Sequence, residues 1–108
     1  MAYSFNGKSI RFCATSAFNE KYGGLEAALY IRIALLVLSK YPVDMLVFEM
    51  TPGGCQQVRL SGYDFKTNIL DEKTIAYKAE SLPTDTFWLK IDDFESHYLG
   101  TFLFPDEY

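Results

Sequence analysis

The sequence predicts an α+β fold: one long apolar helix packed on a curved, mainly antiparallel sheet of four to six strands, in the order β-α-β-β-β-β plus a short helix. Three observations carry that class. Residues 25–41 form the only stretch whose apolar content suits a long helix. Several short runs elsewhere alternate apolar and polar residues at the strand period, and glycine and proline clusters separate them. With 108 residues, 49% apolar and 22% charged, the chain reads as a single domain, 1–108, and lies outside the composition of disordered chains.

Residues 9–15 (SIRFCAT) read as the first strand, with Ile10 and Phe12 on one face and Cys13 as a small buried hydrophobe. Residues 19–24 read as a turn. Gly23 and Gly24 then open the helix, which stops at Tyr41 because Pro42 pushes the preceding residue out of the helical region. At 100° steps, Ala27, Ile31, Ala34, Leu35, Leu38 and Tyr41 cover one broad face, and Leu25, Leu29, Ile33, Leu36 and Val37 cover much of the rest. Only Arg32 with Ser39, and Glu26 with Lys40, interrupt the apolar surface. An amphipathic surface helix looks different. Such a helix is clasped by a strongly curved sheet or buried by a second subunit, and the expectation leans toward a homodimer through residues 25–41.

Residues 44–50 and 55–63 flank Thr51-Pro52-Gly53-Gly54, where proline at the second position and glycine at the third fit a type II turn. Leu46, Phe48 and Met50 share one face of this hairpin, opposite Val58 and Leu60. A loop over 63–72 leads to strands at 74–80 and 86–91. In the second of these Phe87, Leu89 and Ile91 point inward, which turns Trp88 outward beside Lys90. Asp92-Asp93-Phe94-Glu95 resembles a helix N-cap with an acid three residues on, and Gly100 is placed to end a short helix. Residues 101–104 (TFLF) close the order as an edge strand before Pro105.

Charge is uneven along the chain. The net charge is −4, and residues 55–108 hold five bases and ten acids, against five bases and four acids in 1–54. From Ala79 onward seven carboxylates face a single cation, Lys90. Such a surface repels phosphate, so direct nucleic-acid binding is not expected, and it attracts a basic protein. The most apolar run, 25–38, contains Glu26 and Arg32 and is too short to span a membrane. Residues 1–12 lack the apolar core of a signal peptide, so a cytoplasmic location with reduced thiols is expected.

Chemistry-bearing motifs are sparse. Cys55 follows a glycine turn, and the sole histidine, His97, has Asp92 and Asp93 nearby in sequence. The hairpin already accounts for the glycines, however, and two strands separate Cys55 from His97. One histidine and two distant cysteines, Cys13 and Cys55, do not build a metal site, and no phosphate-binding glycine loop occurs. No catalytic residue, metal or cofactor is expected.

The binding candidates are Trp88, Asp92, Asp93, Glu95, Tyr98, Asp106, Glu107 and Tyr108, which combine aromatic anchors with carboxylates. Rings of this kind supply affinity, and the charges supply steering and partner choice. The reading is a non-enzymatic binding module: an inhibitor or immunity-type protein that neutralises a basic partner such as a nuclease toxin or a nucleic-acid-binding complex. The alternative is a small homodimeric ligand-binding or enzyme domain with an apolar pocket between helix and sheet.

Overall fold

Asn6 and Gly7 both adopt positive φ, 49° and 85°, and turn β1 (Tyr3–Phe5) back onto β2 (Lys8–Ala14) as a two-residue hairpin. Asn-Gly is the pair that favours this turn, because its twist matches that of the flanking strands. The computed structural model describes residues 3–50, 56–65, 74–76 and 86–107. The expected turn at 51–54, Cys55, residues 77–85 and Tyr108 lie outside the described residues.

After β2, Thr15 caps α1 (Ser16–Tyr22), its side chain accepting from the Phe18 N–H at 3.3 Å. Most of the turn expected at 19–24 is therefore helix. Its signals are short-range: the Thr15 cap, and Phe18 with Tyr22 one turn apart, both buried. Gly24, at φ 73°, leads into α2 (Leu25–Lys40), which ends one residue before the expected Tyr41; Tyr41, next to Pro42, is its non-helical C-cap.

The buried stripe of α2 is Tyr30, Ile33, Ala34, Val37 and Leu38, spaced at three and four residues. Leu29, Ile31 and Leu35 are half-buried and pack against the same core. Helix α1 and strand β1 both pack against α2, and Ala28, Arg32, Leu36, Ser39 and Lys40 face solvent. Helix α1, strand β1 and the sheet thus cover much of the surface of α2. Leu36, 70% exposed, is the largest apolar exception among the described residues. No single helix among them is long and apolar enough to cross a membrane.

The sheet continues with β3 (Met45–Met50), β4 (Gln56–Leu60), β5 (Thr74–Ala76), β6 (Phe87–Asp93) and β7 (His97–Leu103), followed by a 3-10 turn at Pro105–Glu107. The strand order is β1-β2-β7-β6-β3-β4-β5. Every pairing is antiparallel except β2 with β7, and the sheet curls around the helices. The α+β class, with an apolar helix on a curved and mainly antiparallel sheet, stands. Among the described residues the count reaches seven because β1 precedes the expected first strand. Inward residues Leu46, Phe48, Val58, Leu60, Phe87, Leu89 and Ile91 are buried as the alternation implies. Aromatic stacking binds α1 to the sheet, where Phe18 lies on Phe102 at 5.1 Å, and binds β3 to β6, where Phe48 lies on Phe87 at 4.8 Å.

The short helix expected after Asp92 is absent. Residues 92–103 instead complete a β6–β7 hairpin, and the expected edge strand at 101–104 belongs to β7, between β6 and β2. Packing decides this. Gly100 faces Phe12 and Leu89, and a Cβ there would lie 2.9 Å from the Phe12 ring, so glycine serves strand contact here and not helix termination. Cys13 is exposed and not buried, because alternation along β2 turns Ile10 inward and puts Arg11 and Cys13 on the other face. Its Sγ lies 3.3 Å from Thr101 Oγ1 on β7.

Candidate functional site

The β6–β7 connection, residues 94–96, carries the most distinctive surface chemistry of the described residues. Asp93 pairs with Tyr98 at the end of the ladder, and the Phe94 N–H donates to the His97 carbonyl at 2.9 Å, closing a tight turn. Phe94 is 47% exposed, and its ring stacks on the His97 imidazole at 5.3 Å with 26° between planes. Ser96 Oγ and His97 Nδ1 are 2.9 Å apart, which holds the imidazole beneath the ring. Around Phe94 lie three exposed carboxylates, Asp92, Asp93 and Glu95.

Lys8 fastens this tip to the β1–β2 turn. Its ammonium donates to Asp93 Oδ1 and to the Phe94 carbonyl, each at 2.6 Å, and sits 4.4 Å above the centre of the Tyr98 ring. Asn6 Nδ2 adds a hydrogen bond of 3.0 Å to the Tyr98 hydroxyl. Asp93 is therefore paired, whereas Asp92 and Glu95 form no ion pair among the described residues. The arrangement is an aromatic ring and two available carboxylates on a braced turn.

The remaining candidates are placed differently. Tyr98 is 4% exposed, packed against Phe5 and Phe65, and serves as a foundation of the tip, not as a contact surface. Alternation along β7 turns it inward with Gly100 and Phe102. Trp88 is half-buried on the sheet face opposite the helices, between Leu103 and Val47 in the cross-strand row, and both neighbours are buried. It acts there as a cover for that face of the sheet. Asp106 and Glu107 are at the far end of β7, about 20 Å from the tip for a strand of this length. Glu107 is structural: its Oε1 accepts from Thr15 Oγ1 at 2.8 Å and from the Phe104 N–H at 3.0 Å. The carboxylates that follow one another in sequence thus form two groups at opposite ends of a strand.

Phe94 is the residue that sequence reasoning missed. Its signal was present, an aromatic between acids, but the helix-cap reading of residues 92–95 absorbed it. A second surface feature lies across the β1–β2 turn: a cleft of about 230 Å³ between that turn and the C-terminal half of α2. No family model, curated protein or solved structure matches this chain.

Proposed function

We propose that the protein is a binding module that neutralises a basic protein partner, an inhibitor or immunity-type function, and that the β6–β7 tip is its contact surface. One observation carries this reading: Phe94 stands exposed among Asp92, Asp93 and Glu95 on a turn already braced by Lys8. An aromatic group that gains burial on binding contributes affinity, and adjacent carboxylates speed the approach of a basic surface. Bracing matters because a turn already ordered in the free protein loses little conformational entropy on binding. The net charge of −4 acts in the same direction at long range.

The test begins with the immobilised protein in a low-salt extract of its source cells. The basic proteins retained are identified, and the association of each is followed by stopped flow. Phe94→Ala should weaken a true partner by about 2 kcal/mol, mainly through faster dissociation. The pair Asp92→Asn with Glu95→Gln should slow association and flatten its dependence on salt. Equal kinetics for the parent and both variants would remove the tip from the interface. If the retained partner is a nuclease, its activity should fall on stoichiometric addition of the protein.

A further inference from the structure

Strand β1 is one edge of the sheet, and the register of its hairpin decides which of its main-chain groups are already engaged. Phe5 and Lys8 flank the two-residue turn and Tyr3 faces Ile10, so these pairs exchange the hydrogen bonds of the β1–β2 ladder. Ser4 faces Ser9 at the intervening position, where the main-chain groups of each strand point away from the other. The same alternation reappears on the far side of β2: the Thr15 N–H, in phase with Ser9, donates to the Phe102 carbonyl of β7 at 3.0 Å. The Ser4 N–H and C=O therefore face the open edge, and neither has a backbone partner among the described residues. The cleft opens beside that edge, with Ser4 and Phe5 on the strand side and Leu35, Leu38 and Ser39 on the helix side.

We infer that this edge and cleft together bind an extended peptide segment of another protein, which adds as a strand beside β1 and places one aliphatic side chain between Phe5 and α2. The inference stands apart from the proposed function, because it uses neither Phe94 nor the carboxylates of the tip. A donor and an acceptor on one residue match the main chain of an extended segment, which returns both hydrogen bonds. A helix cannot do this, since its own main-chain groups are already paired.

Alternation then assigns the side chains. The segment residue opposite Ser4 points to the same side as Ser4, which is exposed, and the residue beside Phe5 points with Phe5 toward α2. An aliphatic side chain there meets Phe5, Leu35 and Leu38. No charged residue lines the cleft, so a charged side chain would lose water without gaining an ion pair. Beyond the cleft, Lys40 follows Ser39, is exposed and forms no ion pair among the described residues, which favours acids over bases on either side of the aliphatic residue. Ser4 alone among the residues of β1 faces outward, so the main chain supplies two hydrogen bonds and the cleft must supply the rest. That requirement gives the edge its selectivity, since a strand this short does not pair with any passing chain.

The full chain, labelled with ¹⁵N, is titrated with acetyl-Glu-Thr-Leu-Thr-Glu-amide at millimolar concentration. Saturable shifts should centre on the amides of Ser4, Phe5 and Ser39. Methylating the backbone nitrogens of both threonines should weaken binding by about threefold or more. Serine in place of leucine should weaken it by about tenfold or more, and lysine in place of both glutamates by about twofold. Ser4→Pro removes the outward N–H without touching a ladder bond, a placement that proline tolerates on an edge strand. It should weaken the parent peptide by about threefold and leave the thermal midpoint near that of the parent protein. Phe94→Ala should leave peptide binding unchanged. No shift at Ser4, equal binding of the methylated or the serine peptide, or tighter binding of the lysine peptide would each overturn the inference. A parent dimer that Ser4→Pro dissociates would assign the edge to a second copy of the chain and overturn it as well.

Discussion

Lys8 and Asp93, 85 residues apart in sequence, meet in a 2.6 Å ion pair that ties the β1–β2 turn to the β6–β7 tip. The side chains are 29% and 49% exposed, so the pair itself contributes no more than about 1 kcal/mol. Its effect is positional, since the same ammonium also holds the Phe94 carbonyl. Lys8→Met should therefore lower global stability only slightly in urea. It should speed hydrogen exchange of the Phe94 amide by roughly tenfold, a local loosening of about 1.4 kcal/mol. Unchanged exchange at Phe94 would show that the turn holds its shape without Lys8.

Thr15 and Glu107 form the second long-range tie. Thr15 caps α1 and also donates to the Glu107 carboxylate, which accepts in addition from the Phe104 N–H. Thr15→Ala removes the cap and one donor together and should cost about 1–2 kcal/mol. Glu107→Ala should cost about 1 kcal/mol. Because both lose the same hydrogen bond, the double variant should be less destabilised than the sum of the two. Urea midpoints with unchanged m-values measure this. Strict additivity would mean that the bond between them contributes nothing.

Gly100 marks a place where two strands and a ring crowd together. An added Cβ would lie 2.9 Å from Phe12 Cδ1 and 3.1 Å from Leu89 Cδ1, both in the central part of the sheet. Gly100→Ala should therefore destabilise by about 1–3 kcal/mol through overpacking. A thermal midpoint equal to that of the parent would show that Phe12 and Leu89 repack freely.

Leu36 and Leu38 sit two positions apart on α2 with opposite environments, 70% and 1% exposed. Leu38→Ala should cost about 2–5 kcal/mol, the range for a buried leucine. Leu36→Glu should alter stability by no more than about 0.5 kcal/mol and leave the mass in sedimentation equilibrium unchanged. A halved mass for Leu36→Glu would restore the two-subunit arrangement expected from the apolar helix.

The legible parts of this fold are those encoded by local pattern. The helix from Leu25 was visible in its apolar run and in Pro42, and Phe87, Leu89 and Ile91 were visible in their alternation. Helix α1 was hidden because a seven-residue helix shows too few periods, and Asn19, Gly23 and Gly24 imitate a turn. The hairpin at 92–103 was hidden for a different reason. Asp92-Asp93-Phe94-Glu95 satisfies the local rules of a helix start, and only distant partners, Lys8, Phe12 and the whole of β2, select the strand. Half of the candidate site followed from composition, namely Asp92, Asp93 and Glu95. Phe94 required the turn itself, and the burial of Tyr98 required its contacts with Phe5 and Phe65.

The parallel pairing of β2 with β7 has a consequence for how the chain is made. Its partners, Ser9 with His97 through Ala14 with Phe102, lie 88 residues apart, yet they join the β1–β2 hairpin to the rest of the sheet. Elongation at ~5–20 residues per second separates their synthesis by roughly 4–18 s. During that interval β2 has no neighbour for the edge that β7 will occupy, and residues such as Phe12 await their cover. Closing a loop of this length must precede the contacts that reward it, which makes the step slow relative to forming either helix. The nascent chain is thus most exposed to aggregation and to chaperone capture just before β7 leaves the ribosome. A stalled-ribosome series should show protection of β2 from proteolysis appearing abruptly once residues 97–103 have emerged.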